Sequence, residues 1–382
     1  MRFTQIYQYN FPTTIRFGAG ASRELPAYCR QHGLKRPLLV TDANVAQLDF
    51  FKTIVNDLEL AQLSPVVFYD IHRNPVKSDV YKGTECYDQV GCDSVIGIGG
   101  GAALDVARAI VLRAEHRDDL FKYDDLIGGD VYVTNNVPHF ITLPTTSGTG
   151  SEVGRSAIIA DDETHQKKIL FSPKLLAKMV FADPELTMAL PASITAATGM
   201  DALTHNMEAY IAKMPHPICE GIALEGMRLI HESIEKAVNS PDLESRAKML
   251  LGSMMGAIAF QKGLGVVHSL AHPLSSLLDT HHGLANAVNL PYGMRFNAGA
   301  VPEAFLRMSQ IFELNNPGSD QLIDHLFELN MRIGIPTRLR DIAVKSEHIE
   351  TLADLAAADF AHPNNPRPVS RAQFKSLYEE AL

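Results

Sequence analysis

The sequence predicts an α/β protein in two parts: a Rossmann-like parallel-sheet domain over residues 1–186, then an all-helical domain over residues 187–382. Three observations carry this expectation. Short apolar runs alternate with helical stretches through the first half. Strand-like runs nearly vanish from about Pro191 onward, while helical patterns continue. The length, 382 residues, is also too great for one ordinary core.

The elements follow in chain order. Residues 37–41 (PLLVT), 64–69 (SPVVFY), 94–98 (SVIGI) and 139–144 (HFITLP) read as buried strands. Helical periodicity spans residues 77–89 and 102–113 between them. Residues 153–181 read as a hairpin or meander with a polar tip at Asp161-Asp162-Glu163-Thr164-His165. After a boundary near residues 183–191, helices are expected over 196–213, 217–239, 243–262, 303–313 and 319–334. The Asn364-Asn365-Pro366-Arg367-Pro368 stretch reads as a loop before a last short helix.

Composition limits the function classes. Hydrophobic residues make up 46% and charged residues 20%, as in a soluble globular protein. A net charge of -10 argues against nucleic acid and anionic membrane as partners. Cys29, Cys86, Cys92 and Cys219 show no CxxC or CxxH spacing and read as reduced, cytoplasmic thiols. The N-terminal stretch lacks the apolar core of a signal peptide, and no apolar run reaches the roughly 18 residues of a membrane span.

Two loops point to a phosphorylated ligand. Ile96 to Ala107 reads strand, Gly99-Gly100-Gly101 turn, helix start. Glycines let backbone N–H groups approach a phosphate, and a helix N-terminus favours negative charge. A second loop, Pro144 to Glu152, is rich in hydroxyls and N–H groups and also follows a strand. Ligands in open α/β sheets bind beyond the carboxyl ends of the strands. Asp42, just after a strand, is placed to bind a ribose 2′-hydroxyl and repel a 2′-phosphate, which predicts NAD over NADP. Its competing role is a helix N-cap.

The second half carries a metal-type set. Asp201 and His205 are spaced i,i+4, as are His268 and His272, so each pair shares a helix face. With His281 or His282, they offer one carboxylate and several imidazoles in segments rich in Ala, Leu, Val and Gly. Leaving such groups buried without a partner would cost several kcal/mol. The set suits a first-row divalent ion such as Fe²⁺ or Zn²⁺.

Four motifs in this order resemble the iron-containing (group III) alcohol dehydrogenase family: GGGAALDVAR, PTTSGTGSEV, ITAATGMDALTHNMEAY and GVVHSLAHPL with HHGLANAVNLP. The resemblance covers nearly the whole chain. It implies metal ligands at Asp201, His205, His268 and His282, the last because the family's ligand precedes a glycine, here Gly283. It implies that His272 relays a proton. It implies dinucleotide contacts at Asp42, Asn74, Gly99, Gly100, Gly101, Asp105, Thr145, Thr146, Ser147, Thr149 and Lys167. Ala102 departs from the family's usual serine, and Ser275-Ser276 from its usual small pair.

The implied activity is reversible hydride transfer between NAD and a small primary alcohol or diol, with a divalent metal, Fe²⁺ first and Zn²⁺ as the alternative. A homodimer joined through the strand around residues 3–17 is implied as well. The segments 155–159 and 260–268 are similar to the 4-hydroxybutyrate dehydrogenase branch, where Arg155 or Lys262 would pair with a carboxylate. A dehydroquinate synthase-like lyase is the rival from another enzyme class. It needs Lys and Arg near the metal, and the segments around Asp201, His268 and His282 are poor in both.

Overall fold

The structure is a computed structural model that describes residue 11, residues 13–164 and residues 166–382. Among these, six strands form one parallel sheet: β1 (Thr14–Phe17), β2 (Pro37–Val40), β3 (Val66–Phe68), β4 (Ser94–Gly99), β5 (His139–Pro144) and β8 (Met179–Ala182). The order is β1-β8-β5-β4-β2-β3. β2 and β4 are buried along their whole length, which explains their unbroken apolar runs. Four helices connect the strands: α1 (Leu25–Gln31), α2 (Asp49–Leu60), α3 (Lys77–Val90) and α4 (Gly101–Glu115).

The chain steps from β2 outward to β3, then crosses back to β4 and continues to β5 on the other side. The direction of winding therefore reverses between β2 and β4. In an open parallel sheet, that is where the loops leaving the carboxyl ends diverge and a ligand can enter. Asp42 and Gly99 are the residues at those two ends.

Residues 153–181 only partly follow the expected meander. β6 (Ser156–Ala160) and β7 (Lys167–Phe171) pair antiparallel as a separate hairpin. β8 leaves that pair and enters the main sheet between β1 and β5, pairing parallel with both. Its Val180, Phe181 and Ala182 are buried, so it is a sheet-interior strand and not a hairpin arm. Of the strand expected around residues 3–17, residues 3–10 and 12 lie outside the described residues. Thr14–Phe17 forms the sheet edge.

From residue 192 the chain is helical: α5 (Ala192–Ile211), α6 (Pro217–Asn239), α7 (Leu243–Ala259), α8 (Val266–Leu278), α9 (His282–Asn297), α10 (Pro302–Ile311), α11 (Ser319–Arg332), α12 (Ile349–Ala357) and α13 (Arg371–Ala381). α5 is buried on almost every face and packs against α6, α7 and α9. Such a helix has no polar stripe, so periodicity alone places its ends poorly; it begins four residues before the expected start. α8 and α9 are buried in the same way.

By internal packing the chain forms two units. One holds the parallel sheet, ends at Thr146 and resumes over Gly150–Ala189. The other comprises Leu190–Leu382 together with Ser147–Thr149. Gly148 belongs with the helices because Ser253 Oγ donates to its carbonyl at 3.1 Å. A Cβ on Gly148 would come within 2.8 Å of Thr198 Cβ, so only glycine fits there. Among the described residues, no single helix is long and apolar enough to cross a membrane.

Candidate metal centre and dinucleotide loops

Asp201 and His205 stand one turn apart on α5, α8 carries His268 and His272, and α9 opens with His282. Gly283 lets α9 reach α5. A Cβ there would collide with the Ala197 carbonyl oxygen and sit 3.3 Å from Asp201 Cβ. One ligand atom each from Asp201, His205, His268 and His282 then lies within 4.8 Å of the others. His205 Nε2 is 3.8 Å and His282 Nε2 3.6 Å from Asp201 Oδ1. Asp201, His205 and His268 are buried and His282 is half-buried.

The electrostatics suit a cation. Burial lowers the His205 pKa to about 4 although Asp201 opposes it, so the ring stays neutral, as a ligand must be. Burial also works against charge on His268, but the hydrogen bond and charge of Glu208 outweigh it and raise its pKa. Glu208 Oε2 meets His268 Nδ1 at 2.6 Å, and Glu208 Oε1 accepts from the Val267 N–H at 2.7 Å. Gly265 makes this approach feasible, since a Cβ there would be 2.9 Å from Glu208 Oε1. Glu208 thus turns His268 so that Nε2 faces the cluster, the carboxylate–histidine arrangement typical behind metal ligands.

His272 lies beside the cluster, its ring stacked on His282 at 5.3 Å and on Phe360 at 5.2 Å. Its Nδ1 meets Asp359 Oδ2 at 2.8 Å, while Asp359 Oδ1 accepts from Ser269 Oγ and the Ala361 N–H. Burial works against the Asp359 carboxylate, but His272 and these donors prevail and hold its pKa below the ordinary value. A carboxylate at Nδ1 selects the Nδ1–H tautomer and leaves Nε2 as the accepting atom.

In the sheet unit, β4 ends at Gly99 and α4 begins at Gly101. A Cβ on Gly99 would be 2.7 Å from Ala103 Cβ and about as far from Asp42 Oδ2, at 3.9 Å, as from Thr41 Oγ1, at 4.0 Å. Thr41 Oγ1 is buried with no hydrogen-bond partner among the described residues. Asp42 Oδ1 caps the next turn, accepting from the Asn44 and Val45 N–H groups at 2.9 and 3.1 Å. Its Oδ2 remains beside Gly99. The carboxylate can therefore cap and bind at once. The Thr145 N–H bonds the Gly99 carbonyl at 3.0 Å, and Thr146 packs where a Gly100 Cβ would be, so these two loops adjoin.

Ala160 links the neighbourhoods of the next two expected contacts: its N–H bonds the carbonyl of Pro75, which follows Asn74, at 2.8 Å, and it pairs with Lys167 in the hairpin. Asp79 holds the turn preceding α3, accepting from the His72 and Val76 N–H groups. Asp105 is wholly engaged inside the unit. It accepts from Ser151 Oγ at 2.7 Å, Arg108 Nη1 at 3.2 Å and the Ile158 N–H at 3.1 Å. Buried Arg108 also binds the Ser156 and Leu175 carbonyls. Together they tie α4 to residue 151 and to the β6–β7 hairpin. Of the two cations suggested for a carboxylate, Lys262 is buried and bound to Glu220 at 2.9 Å and the Tyr210 carbonyl at 2.7 Å. Arg155 lies over the Phe171 ring and has no acidic partner among the described residues.

Sequence reasoning overlooked Glu208, Asn286 and Asp359. The first two left a trace: Glu208 is i+3 from His205, and Asn286 is i+4 from His282, each on its ligand's face. Asp359 left none, since 87 residues separate it from His272.

Comparison with known proteins bears on the whole chain. Residues 12–184 match the family described as iron-containing alcohol dehydrogenase, and residues 195–382 match the C-terminal part of the Fe-containing alcohol dehydrogenase family. The chain is 37% identical to a 4-hydroxybutyrate dehydrogenase of Cupriavidus necator, over 97% of this chain and 98% of that protein. It is 34% identical to a 1,3-propanediol dehydrogenase of Citrobacter freundii, over 99% of both. An NAD-dependent methanol dehydrogenase of Bacillus methanolicus is 33% identical, over 97% of this chain and 98% of that one. A solved 1,3-propanediol oxidoreductase superimposes with a TM-score of 0.94 at 33% identity, over 99% of this chain and 100% of that chain.

Proposed function

Because this chain belongs to the iron-containing alcohol dehydrogenase family, we propose that Asp201, His205, His268 and His282 hold a divalent metal, Fe²⁺ first and Zn²⁺ as the alternative. The observation that carries this reading is the convergence of those four ligand atoms within 4.8 Å. Dinucleotide binding is assigned to residues 1–186 and metal binding to residues 187–382. The protein is an NAD-dependent oxidoreductase of small alcohols and their aldehydes.

When bound, the metal supplies Lewis acidity at the substrate oxygen, and the dinucleotide supplies the hydride acceptor. The chain's own residues do the rest. Asp42 Oδ2 and Thr41 Oγ1 offer an acceptor and a hydroxyl beside Gly99, suited to a ribose with a free 2′-hydroxyl. Gly99, Gly100 and Gly101 admit a phosphate to the start of α4, with Thr145, Thr146, Ser147 and Thr149 as further polar contacts. Asn74 and Lys167 complete the set. Asp105 orders the loop at Ser151. His272 Nε2 accepts the alcohol proton on oxidation and returns it on reduction, while Asp359 keeps Nδ1 protonated.

The substrate reading is a short primary alcohol or diol, supported by the likeness to 1,3-propanediol and methanol dehydrogenases. A second reading, an ω-hydroxy acid such as 4-hydroxybutyrate, is favoured by Arg155, a half-buried guanidinium without a carboxylate partner among the described residues. The family is one of dehydrogenases, which favours this chemistry over the lyase. A homodimer and a cytoplasmic setting complete the proposal, the latter supported by four free cysteines.

The test is NAD⁺ reduction by anaerobically Fe²⁺-loaded protein with ethanol, butanol, 1,3-propanediol and 4-hydroxybutyrate. Turnover of neutral alcohols is expected. Turnover of 4-hydroxybutyrate alone, abolished by Arg155→Gln, would select the second reading. No turnover of any of them, with metal and NAD bound, would overturn both.

A further inference from the structure

We infer that Asn286 is a positioning residue for the metal-ligand set, its amide nitrogen standing among the side-chain atoms that converge there. Asn286 Nδ2 is 2.7 Å from Asp201 Oδ1, 3.2 Å from His268 Nε2 and 3.1 Å from His282 Nε2. Those are three of the four atoms assigned to the metal. Asn286 itself is buried, one turn beyond His282 on α9.

The chemistry decides which way the amide points. Asp201 is an acceptor, and Glu208 at Nδ1 makes His268 Nε2 an acceptor too. A reversed amide would set its carbonyl oxygen against those lone pairs. The orientation present has a price: Asn286 Oδ1 is buried with no hydrogen-bond partner among the described residues. A buried amide whose nitrogen faces three ligand side-chain atoms, and no backbone carbonyl, is placed for those ligands and not for helix stability. Asn289, one turn on, also has a buried Oδ1 without a partner among the described residues, but its Nδ2 donates to the Ala285 carbonyl of its own helix, so the acceptors served by the nitrogen distinguish Asn286.

An uncharged donor suits this task. A lysine or arginine there would compete with the metal as a resident cation, and an apolar side chain would leave Asp201 buried without a donor. The –NH₂ group, at hydrogen-bond distance from both rings, keeps the His268 and His282 imidazoles turned toward Asp201.

This inference rests on the ligand assignment above, and the experiment separates the two. Metal affinity is measured by chelator competition with Zn²⁺ and, anaerobically, Fe²⁺, and melting temperature is measured with and without metal. Asn286→Ala is expected to weaken metal binding about 10- to 100-fold, as removal of such supporting partners does. It should lower the melting temperature of the metal-free protein, while Asn289→Ala leaves metal affinity unchanged. Asn286→Ser serves if the alanine variant fails to fold. Unchanged or tighter metal binding by the Asn286 variant, with His268→Ala still abolishing it, would overturn the inference alone. Unchanged binding by His268→Ala would overturn the ligand assignment itself.

Discussion

Glu208 Oε2 lies 2.6 Å from His268 Nδ1, and the same carboxylate caps the start of the helix that carries His268. One side chain therefore sets both the ring's tautomer and the position of its helix. Glu208→Ala should weaken metal binding about 10- to 100-fold. Glu208→Gln, which keeps one accepting oxygen, should lose less. Chelator competition on the two variants checks the order, and equal affinity in both and the parent would remove Glu208 from the site.

Asp359 presents a different readout. If it serves to keep His272 oriented with Nδ1–H, Asp359→Asn should lower kcat by at least about tenfold, within the range of acid–base contributions. KM for NAD⁺ should stay within error. Steady-state kinetics with metal content matched between variants decides it. A rise in KM with unchanged kcat would mean that Asp359 shapes the binding surface and takes no part in the proton path.

Asp42 combines a cap and a cofactor contact, and two substitutions separate them. Asparagine also caps well, so Asp42→Asn should keep the melting temperature while raising the NADP⁺/NAD⁺ ratio of kcat/KM about tenfold or more, equivalent to ~1.4 kcal/mol. Asp42→Ala should shift the ratio similarly and also cost about 1 kcal/mol of stability for the lost cap. An unchanged cofactor ratio in both variants would leave only the capping role.

Glu152 makes stability depend on pH. Burial raises its pKa from 4.5 to about 7, with its own backbone N–H and Arg108 only partly opposing, and its Oε1 is a buried oxygen without a hydrogen-bond partner among the described residues. A raised carboxyl binds its proton more tightly in the folded chain than in the unfolded one. Its contribution to stability therefore falls as pH rises from about 4.5 to about 7, and the charged form burdens the fold above that. The span corresponds to about 3 kcal/mol at most. Glu152→Gln should abolish this component, so denaturant unfolding at pH 5 and pH 8 should favour the variant most at pH 8. Parallel pH curves for the two proteins would refute it.

Local patterns in the chain are enough for the parallel sheet, because apolar runs bounded by turn residues are a property of neighbouring residues. They also place Asp201 with His205 and His268 with His272, since i,i+4 spacing on a helix needs no knowledge of the rest of the fold. The glycine turn after β4 is legible for the same reason. What the pattern cannot reach is any relation that depends on how closely two helices approach. Gly283 and Gly265 allow that approach, but only the packed structure shows that it brings Asn286 under Asp201 and Glu208 behind His268. Asp359 meets His272 across 87 residues of chain with no shared periodicity. Tertiary packing likewise separated Arg155 from Lys262: burial forced a partner on the lysine, which Glu220 supplies, and left the arginine without one among the described residues. Spacing along the chain determined which groups could share a face. The close packing of α5, α8 and α9 decided which of them meet, because hydrogen-bond distances are set by interhelical contact and not by sequence separation.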